Sequence, residues 1–158
     1  MKVGVIGAGI MGSGIAQVAA AAGHAVHLCD IALDRAEKGK AGIAKQLDRL
    51  VAKGTLEAAA AQATLARITP AGDTGPLQEA DFVIEAATEG EDLKKRIFGG
   101  LKLAPHAVLA SNTSSISITM LGAATDRPDR FLGLHFCNPV PVMKLVEIIP
   151  GLATSTET

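Results

Sequence analysis

The chain has 158 residues, of which 48% are hydrophobic, and this is about the length of one domain with a sizeable core. A net charge of −1 and the absence of Trp and Tyr leave neither a basic field nor stacking rings for nucleic acid, which is therefore not expected as a partner. No apolar stretch reaches the roughly 18 residues of a membrane span and no signal peptide opens the chain, so we expect no membrane contact and a cytoplasmic location.

Short aliphatic runs alternate with helical patterns along the chain. Seven runs predict strands, in chain order KVGVIG, HAVHLCD, RITPAGD, DFVIEAA, AVLASN, RFLGLHF and KLVEIIP. The tracts between them predict helices, which are MGSGIAQVAAAAG ending at Gly23, residues 34–51, AKGTLEAAAAQATLAR with a turn at Gly54, EDLKKRIFGGLKL and SISITMLGAA. Aliphatic strands that alternate with helices indicate an α/β fold with a mainly parallel sheet covered on both faces.

The two helical tracts between Asp34 and Arg67 are longer than a simple crossover requires. We expect this inserted helix pair to project from the domain, where it could touch a ligand, with Leu47, Leu50 and Val51 on one face of its first helix. The sequence ends on GLATSTET, a helix start that no helix follows. This ending predicts that residues 1–158 are the first domain of a longer protein.

A glycine-rich loop, Gly7-Ala8-Gly9-Ile10-Met11-Gly12, follows the first strand and opens an alanine-rich helix. In such a G-x-G-x-x-G loop the first glycine permits a tight turn, the second lets backbone N–H groups approach a pyrophosphate, and the third lets the helix pack closely. The context predicts a Rossmann-type, doubly wound domain. The predicted cofactor-binding residues of the loop are Gly7, Gly9, Ile10, Met11 and Gly12.

Asp30 closes the second strand, 18 residues after Gly12. A carboxylate at this place accepts hydrogen bonds from the adenosine ribose hydroxyls and repels a 2′-phosphate, so the sequence favours NAD over NADP as the cofactor. The alternative is that Asp30 is only a solvated strand end.

Polar residues follow three further strands, where a parallel sheet places its ligands. They are Glu89, the cluster Ser111 to Ser115, and the segment His135 to Asn138. Together with the glycine loop and Asp30 they outline the rim of one cleft. Ser114 or Ser115 could cap the following helix. Five hydrogen-bonding residues exceed what one cap needs, so we expect some of them, Asn112 included, to face the cofactor.

His135 and Glu147 lie in two apolar runs joined by a segment with Pro139 and Pro141, which could fold the second strand back on the first. Glu147 shares a strand face with apolar neighbours, where a carboxylate is costly unless it is paired, and His135 is the nearest partner. In a His–Glu pair the carboxylate orients the ring and stabilises the imidazolium, so the other ring nitrogen can accept a substrate proton. A structural pair or a solvent-facing Glu147 is the alternative.

Cys29 and Cys137 are the only cysteines, too few for a disulfide framework or a zinc site. We expect both to be packed thiols and no metal to be bound.

Four segments, GAGIMGSGIAQVAAAAG, VIEAATEGEDLKKRIF, LASNTSSISIT and GLHFCNPVPVMKLVEII, resemble the NAD-binding domain of the L-3-hydroxyacyl-CoA dehydrogenases, especially the bacterial 3-hydroxybutyryl-CoA type. The resemblance implies that His135 is the catalytic base, Glu147 its orienting partner and Ser114 the serine that hydrogen-bonds the reacting oxygen. It implies that Lys53 contacts a CoA phosphate. It also implies contacts on the nicotinamide side from Glu89, Lys94 and Asn138.

The same resemblance implies NAD-dependent, reversible oxidation of an (S)-3-hydroxyacyl-CoA, such as 3-hydroxybutyryl-CoA, to a 3-ketoacyl-CoA, a reaction of fatty acid metabolism. Such relatives continue through another strand and a helical domain that completes the substrate cleft and forms a homodimer. Residues 1–158 are then an NAD-binding domain that stops before the last strand and is expected to be poorly active or inactive alone. Two alternatives stay open: a β-hydroxyacid dehydrogenase, or a non-catalytic NAD-binding or structural relative.

Overall fold

Seven strands form where the sequence has its aliphatic runs, in a computed structural model that describes residues 1–158. They are β1 (Lys2–Ile6), β2 (Ala25–Cys29), β3 (Ile68–Ala71), β4 (Phe82–Glu85), β5 (Val108–Ser111), β6 (Phe131–Phe136) and β7 (Val146–Pro150). They form one sheet in the order β3-β2-β1-β4-β5-β6-β7. All neighbours pair in parallel except β6 and β7, which are antiparallel. The predicted α/β fold with a mainly parallel sheet is confirmed.

Five α-helices follow the predicted tracts. They are α1 (Ile10–Ala21), α2 (Leu33–Ala52), α3 (Ala58–Ala66), α4 (Glu91–Gly100) and α5 (Ile118–Ala123). Gly23 and Gly54 follow α1 and α2 with φ values of 96° and 72°, the left-handed conformation that commonly ends a helix. The prediction for EDLKKRIFGGLKL ran too far, because α4 ends at its glycine pair. Two 3₁₀ helices were not predicted, Gly75–Glu79 and Pro128–Arg130.

Apolar side chains cover the sheet on both faces. On one face Val5 of β1 belongs to a core cluster with Ile15 of α1 and Ile43 of α2. On the other face Phe98 of α4 packs edge-on against Phe131 of β6, with ring centroids 5.2 Å apart. The doubly wound arrangement is therefore confirmed. Strand order reverses beside β1, which has β2 on one side and β4 on the other, and this reversal opens a crevice at the carboxyl ends of the strands.

The inserted helix pair, α2 and α3, is docked on the domain more closely than predicted. Ile43 and Leu47 of α2 and Ala61 of α3 are buried in the core cluster of β1 and α1. Leu50 and Val51 are only half-buried. The part of the pair that projects is the connecting turn around residues 52–55, because the apolar stripe of α2 packs against α1 and β3.

Helix α5 begins at Ile118, later than the predicted helical tract SISITMLGAA, which begins at Ser115. The residue that caps it is Ser117, whose hydroxyl accepts a hydrogen bond from Met120 N–H at 3.3 Å. The expectation that Ser114 or Ser115 caps this helix is therefore wrong. Both residues stay in the loop that precedes the helix.

Across the described residues, no helix combines the length and the apolar character needed to cross a membrane.

Candidate active site

The glycine loop connects β1 to α1 at the crevice. Gly7 has φ 99°, a conformation that side chains disfavour. A Cβ on Gly12 would lie 1.7 Å from the Gly7 carbonyl oxygen, so only glycine lets α1 start this close to the loop. A Cβ on Gly9 would meet no atom within 4 Å, and this glycine precedes α1 without any side-chain cap. The first N–H groups of α1 therefore have no side-chain partner and the approach over Gly9 is open, as an anion-binding helix N-terminus requires.

Asp30 holds the glycine loop as well as ending β2. Its Oδ2 accepts a hydrogen bond from Ala8 N–H at 2.8 Å, and its Oδ1 accepts one from Ile31 N–H at 2.8 Å. Each carboxylate oxygen keeps a second lone pair for a ribose hydroxyl. The residue lines a cavity of about 660 Å³, named here the Asp30 cavity, together with Gly7, Gly9, Arg35 and Arg96.

A second cavity of about 500 Å³ lies across the loop after β4, and we name it the His135 cavity. It collects most of the predicted residues from separate strand ends: Met11, Glu89, Lys94, Asn112, Ser114, His135 and Asn138. Ala86 and Ala87 line both cavities. The two cavities therefore lie on either side of one short loop at the strand-order reversal.

His135 and Glu147 pair across the antiparallel strands β6 and β7, where they occupy opposite register positions. His135 Nδ1 lies 2.6 Å from Glu147 Oε2. Because an ionised carboxylate only accepts, Nδ1 is the donor, and in the neutral ring Nε2 then keeps a lone pair that can take a proton. The pair itself, which the sequence could only suggest, is present in the structure.

The surroundings of Glu147 differ from the expectation. All of β7 is exposed in the described residues, including Ile149 at 38%, and Leu145 before it is 57% exposed. The Glu147 side chain is 51% exposed, so its pairing is not enforced by burial among apolar groups. The reason is positional, since β7 is the edge strand of this sheet.

The cluster Ser111 to Ser115 divides into supporting and free groups. Ser111 donates to Glu85 Oε2 at 2.7 Å, and Asn112 Oδ1 accepts from Phe136 N–H at 2.8 Å. Thr113 and Ser115 both donate to Glu89 Oε1. Ser114 is exposed at the cavity, and its hydroxyl makes no hydrogen bond within the chain. It is the member of the cluster that remains free for a ligand.

Glu89 is held ionised at the cavity wall. Burial by itself raises the pKa of Glu89, but the hydrogen bond from Thr113 and the charge of Lys94 outweigh burial and hold this pKa below its ordinary value of 4.5. Lys94 also lines this cavity, but its side chain has no exposed surface and its ammonium group is bonded to Glu85, so its contact with the nicotinamide stays a prediction. Glu85 was missed by the sequence analysis, although a carboxylate inside the apolar run FVIEA was a usable signal.

Two predicted residues, Lys53 and Ile10, line neither the Asp30 cavity nor the His135 cavity. Lys53 follows α2 in the exposed turn and lines none of these cavities. Ile10 is 78% exposed and lines a third cavity, of about 440 Å³ between α1 and α2, to which Lys38 and Gln46 also contribute.

Cys29 is a packed thiol as predicted, and burial, followed by the charges of Asp73 and Asp30, raises its pKa to about 12. Cys137 is only half-buried and lines the His135 cavity, because the β6 terminus that carries it forms the cavity wall.

A doubly wound sheet, a glycine loop at the strand-order reversal and an acid at the end of β2 together define a dinucleotide-binding domain of the Rossmann class. Residues 2–158 match the family described as 3-hydroxyacyl-CoA dehydrogenase, NAD binding domain, and the chain belongs to this family. The uncapped N-terminus of α1 and the two adjoining cavities fit NAD.

Relatives of known name share nearly the whole chain. A 3-hydroxybutyryl-CoA dehydrogenase of Bradyrhizobium diazoefficiens is 53% identical over 99% of this chain and 54% of its own length. A 3-hydroxyadipyl-CoA dehydrogenase of Escherichia coli K12 is 48% identical over 98% of this chain and 33% of its own length. The crystal structure of (S)-3-hydroxybutyryl-CoA dehydrogenase from Ralstonia eutropha superposes with a TM-score of 0.96, at 49% identity, over 99% of this chain and 56% of that one. The chain thus spans about half the length of most such relatives.

Proposed function

We propose that the protein is an NAD-dependent oxidoreductase that converts (S)-3-hydroxyacyl-CoA, such as 3-hydroxybutyryl-CoA, to 3-ketoacyl-CoA and catalyses the reverse reaction. The observation that carries this proposal is the His135–Glu147 pair at 2.6 Å, beside a cavity that also holds the free hydroxyl of Ser114. A base and a hydrogen-bond donor for one oxygen are what alcohol oxidation needs from the protein.

NAD, when bound, supplies the hydride acceptor. We place its adenosine in the Asp30 cavity, its pyrophosphate at the N-terminus of α1, and its nicotinamide in the His135 cavity. His135 Nε2 takes the proton of the 3-hydroxyl group. Glu147 then stabilises the imidazolium through Nδ1, and Ser114 hydrogen-bonds the oxygen as it becomes a carbonyl. In the reverse reaction His135 returns the proton.

The acyl-CoA substrate is supported by the names of the relatives, and we extend it to this protein as part of the proposal. Since relatives are about twice as long, we further propose that residues 1–158 act with a second domain that completes the substrate cleft and forms a homodimer. A cytoplasmic location and a role in fatty acid metabolism belong to the same proposal. So does the contact of Lys53 with a CoA phosphate.

The direct test is oxidation of NADH by the complete protein with acetoacetyl-CoA, followed at 340 nm. We expect turnover with the CoA ester and none with free acetoacetate. NAD binding without turnover would favour a non-catalytic relative. Turnover with small β-hydroxyacids but not with CoA esters would favour a β-hydroxyacid dehydrogenase.

A further inference from the structure

Lys94, which lines the His135 cavity, forms a buried ion pair with Glu85. Lys94 Nζ lies 2.7 Å from Glu85 Oε1, and neither side chain has exposed surface. The same carboxylate accepts hydrogen bonds from Ala87 N–H and from the Ser111 hydroxyl, each at 2.7 Å. Three donors and no acceptor meet Glu85, so its ionised form fits the site. This one carboxylate joins the loop after β4 to the end of β5, the two segments that form the cavity wall.

Glu89 brings a second carboxylate to the same ammonium group, at the longer distance of 3.4 Å. Its side chain is 42% exposed where it lines the cavity, whereas the side chain of Glu85 is completely buried. Hydrogen bonds from Thr113 and Ser115 hold Glu89 in place in addition to Lys94. Two carboxylates therefore share one cation, and the unbalanced negative charge lies on Glu89, at the cavity.

No other cation around the cavity offsets this charge. The basic side chains that line it are Lys94, already paired, and His135. His135 is bonded to a further carboxylate, Glu147, whose negative charge offsets any positive charge on the ring. The fixed charge around the cavity is thus negative, and a concave site concentrates such a field.

We propose that Glu89 gives the His135 cavity its preference between the two redox forms of the cofactor. Its carboxylate stabilises the oxidised nicotinamide, whose ring is cationic, relative to the reduced ring, which is neutral. The Glu85–Lys94 pair is the positioning element: it holds the cavity wall while leaving the charge of Glu89 uncancelled. This inference rests on the proposed function, which places the nicotinamide in this cavity, and adds the residue that decides which form binds more tightly.

The test is the ratio of the dissociation constants of NADH and NAD⁺, measured by calorimetry on the complete protein with and without the change Glu89→Gln. Glutamine keeps the acceptor for Thr113 and Ser115 and removes the charge. We expect the ratio Kd(NADH)/Kd(NAD⁺) to fall at least about fivefold, as one unit charge a few ångström away in a partly solvated site allows. A purely structural role would weaken both forms alike, and an unchanged ratio would overturn the proposal.

One variant with unchanged charge at Glu89 completes the test. Glu91→Gln removes a carboxylate of α4 that pairs with Lys95 at 2.5 Å outside the cavity, and should leave the ratio unchanged. A loss of preference in Glu91→Gln as large as in Glu89→Gln would contradict the assignment to Glu89. These ratios need no turnover, so they are independent of whether the CoA ester proves to be the substrate.

Discussion

At the scale of single residues, the chemistry depends on which atoms of a side chain are already bonded. His135 uses Nδ1 for Glu147, so Nε2 is the nitrogen left for a substrate, and Ser114 alone in its cluster keeps a free hydroxyl. The neighbours of Ser114 serve the protein itself, since Ser111 and Thr113 bind the carboxylates of Glu85 and Glu89. Two residues next to each other in sequence can thus have opposite roles.

The change His135→Ala removes the proposed base, and a positioned general base contributes about 10²- to 10⁴-fold to a rate. We expect kcat of the complete protein to fall by that factor while the Kd for NAD changes little, as measured by steady-state kinetics and calorimetry. The matched control is His106→Ala, which breaks another His–carboxylate pair outside the His135 cavity. In that pair His106 Nε2 lies 3.1 Å from Asp81 Oδ1. Turnover that survives His135→Ala would refute the assignment of the base.

The change Glu147→Gln keeps an acceptor for His135 but removes the negative charge beside it. Because the imidazolium loses this stabilisation, we expect a lower kcat for oxidation of the hydroxyacyl-CoA. The acid limb of the pH–rate profile in this direction should move to lower pH. The measurement is kcat as a function of pH for both proteins, with the unfolding midpoint as a control for stability. An identical profile would mean that the carboxylate has no electrostatic role.

At the scale of secondary-structure elements, side chains at the amino ends of the parallel strands, opposite the site, hold strands and loops together. Asp81, just before β4, accepts hydrogen bonds from Lys2 N–H at the start of β1 and from His106 before β5. The bond from Lys2 N–H, followed by the one from His106, holds the pKa of Asp81 below its ordinary value of 3.8. Three neighbouring elements of the sheet meet at this exposed carboxylate.

A depressed pKa in the folded state makes Asp81 stabilising only where it is ionised. The contribution is fully present above the unfolded pKa, near 3.8, and is lost as the pH falls through the lower folded value. We expect Asp81→Asn to lower the free energy of unfolding at neutral pH. We also expect this free energy to decline less steeply as the pH falls through that acid range, as measured by urea unfolding at several pH values. Asp48→Asn, on the exposed face of α2 with no such partner, should leave the curve unchanged.

At the scale of the whole molecule, the position of the site follows from the order of the strands. The chain winds from β1 to β3 in one direction and from β4 to β6 in the other, which leaves the crevice beside β1. The Asp30 and His135 cavities lie on the two sides of the loop after β4, so one extended dinucleotide can occupy both. Cofactor binding should therefore stabilise both halves of the sheet together.

NAD at 100 times its dissociation constant should raise the free energy of unfolding by about 2.7 kcal/mol and the melting temperature by several degrees. NADP at the same concentration should stabilise far less, because its 2′-phosphate meets the Asp30 carboxylate at the end of β2. Thermal unfolding with each cofactor checks this difference. Equal shifts would place the ribose away from Asp30.

All seven strands, five helices and the left-handed glycines after α1 and α2 could be predicted from the sequence, because they follow from local patterns of apolar residues and glycine. The glycine loop and Asp30 were equally readable, since their spacing reflects the geometry of a single β-α-β unit. The end of α4 and the cap of α5 were misjudged, because several neighbouring residues could have served.

Only the tertiary structure decided how residues from different strand ends meet. It placed Lys94 inside the domain with Glu85, left Glu89 at the cavity, and showed Glu147 paired with His135 on an exposed edge strand. Burial and the distance between charges depend on which elements pack together, and no local pattern contains that information. The sequence by itself determined the fold class and the glycine loop, while packing decided which charges are cancelled and which are not.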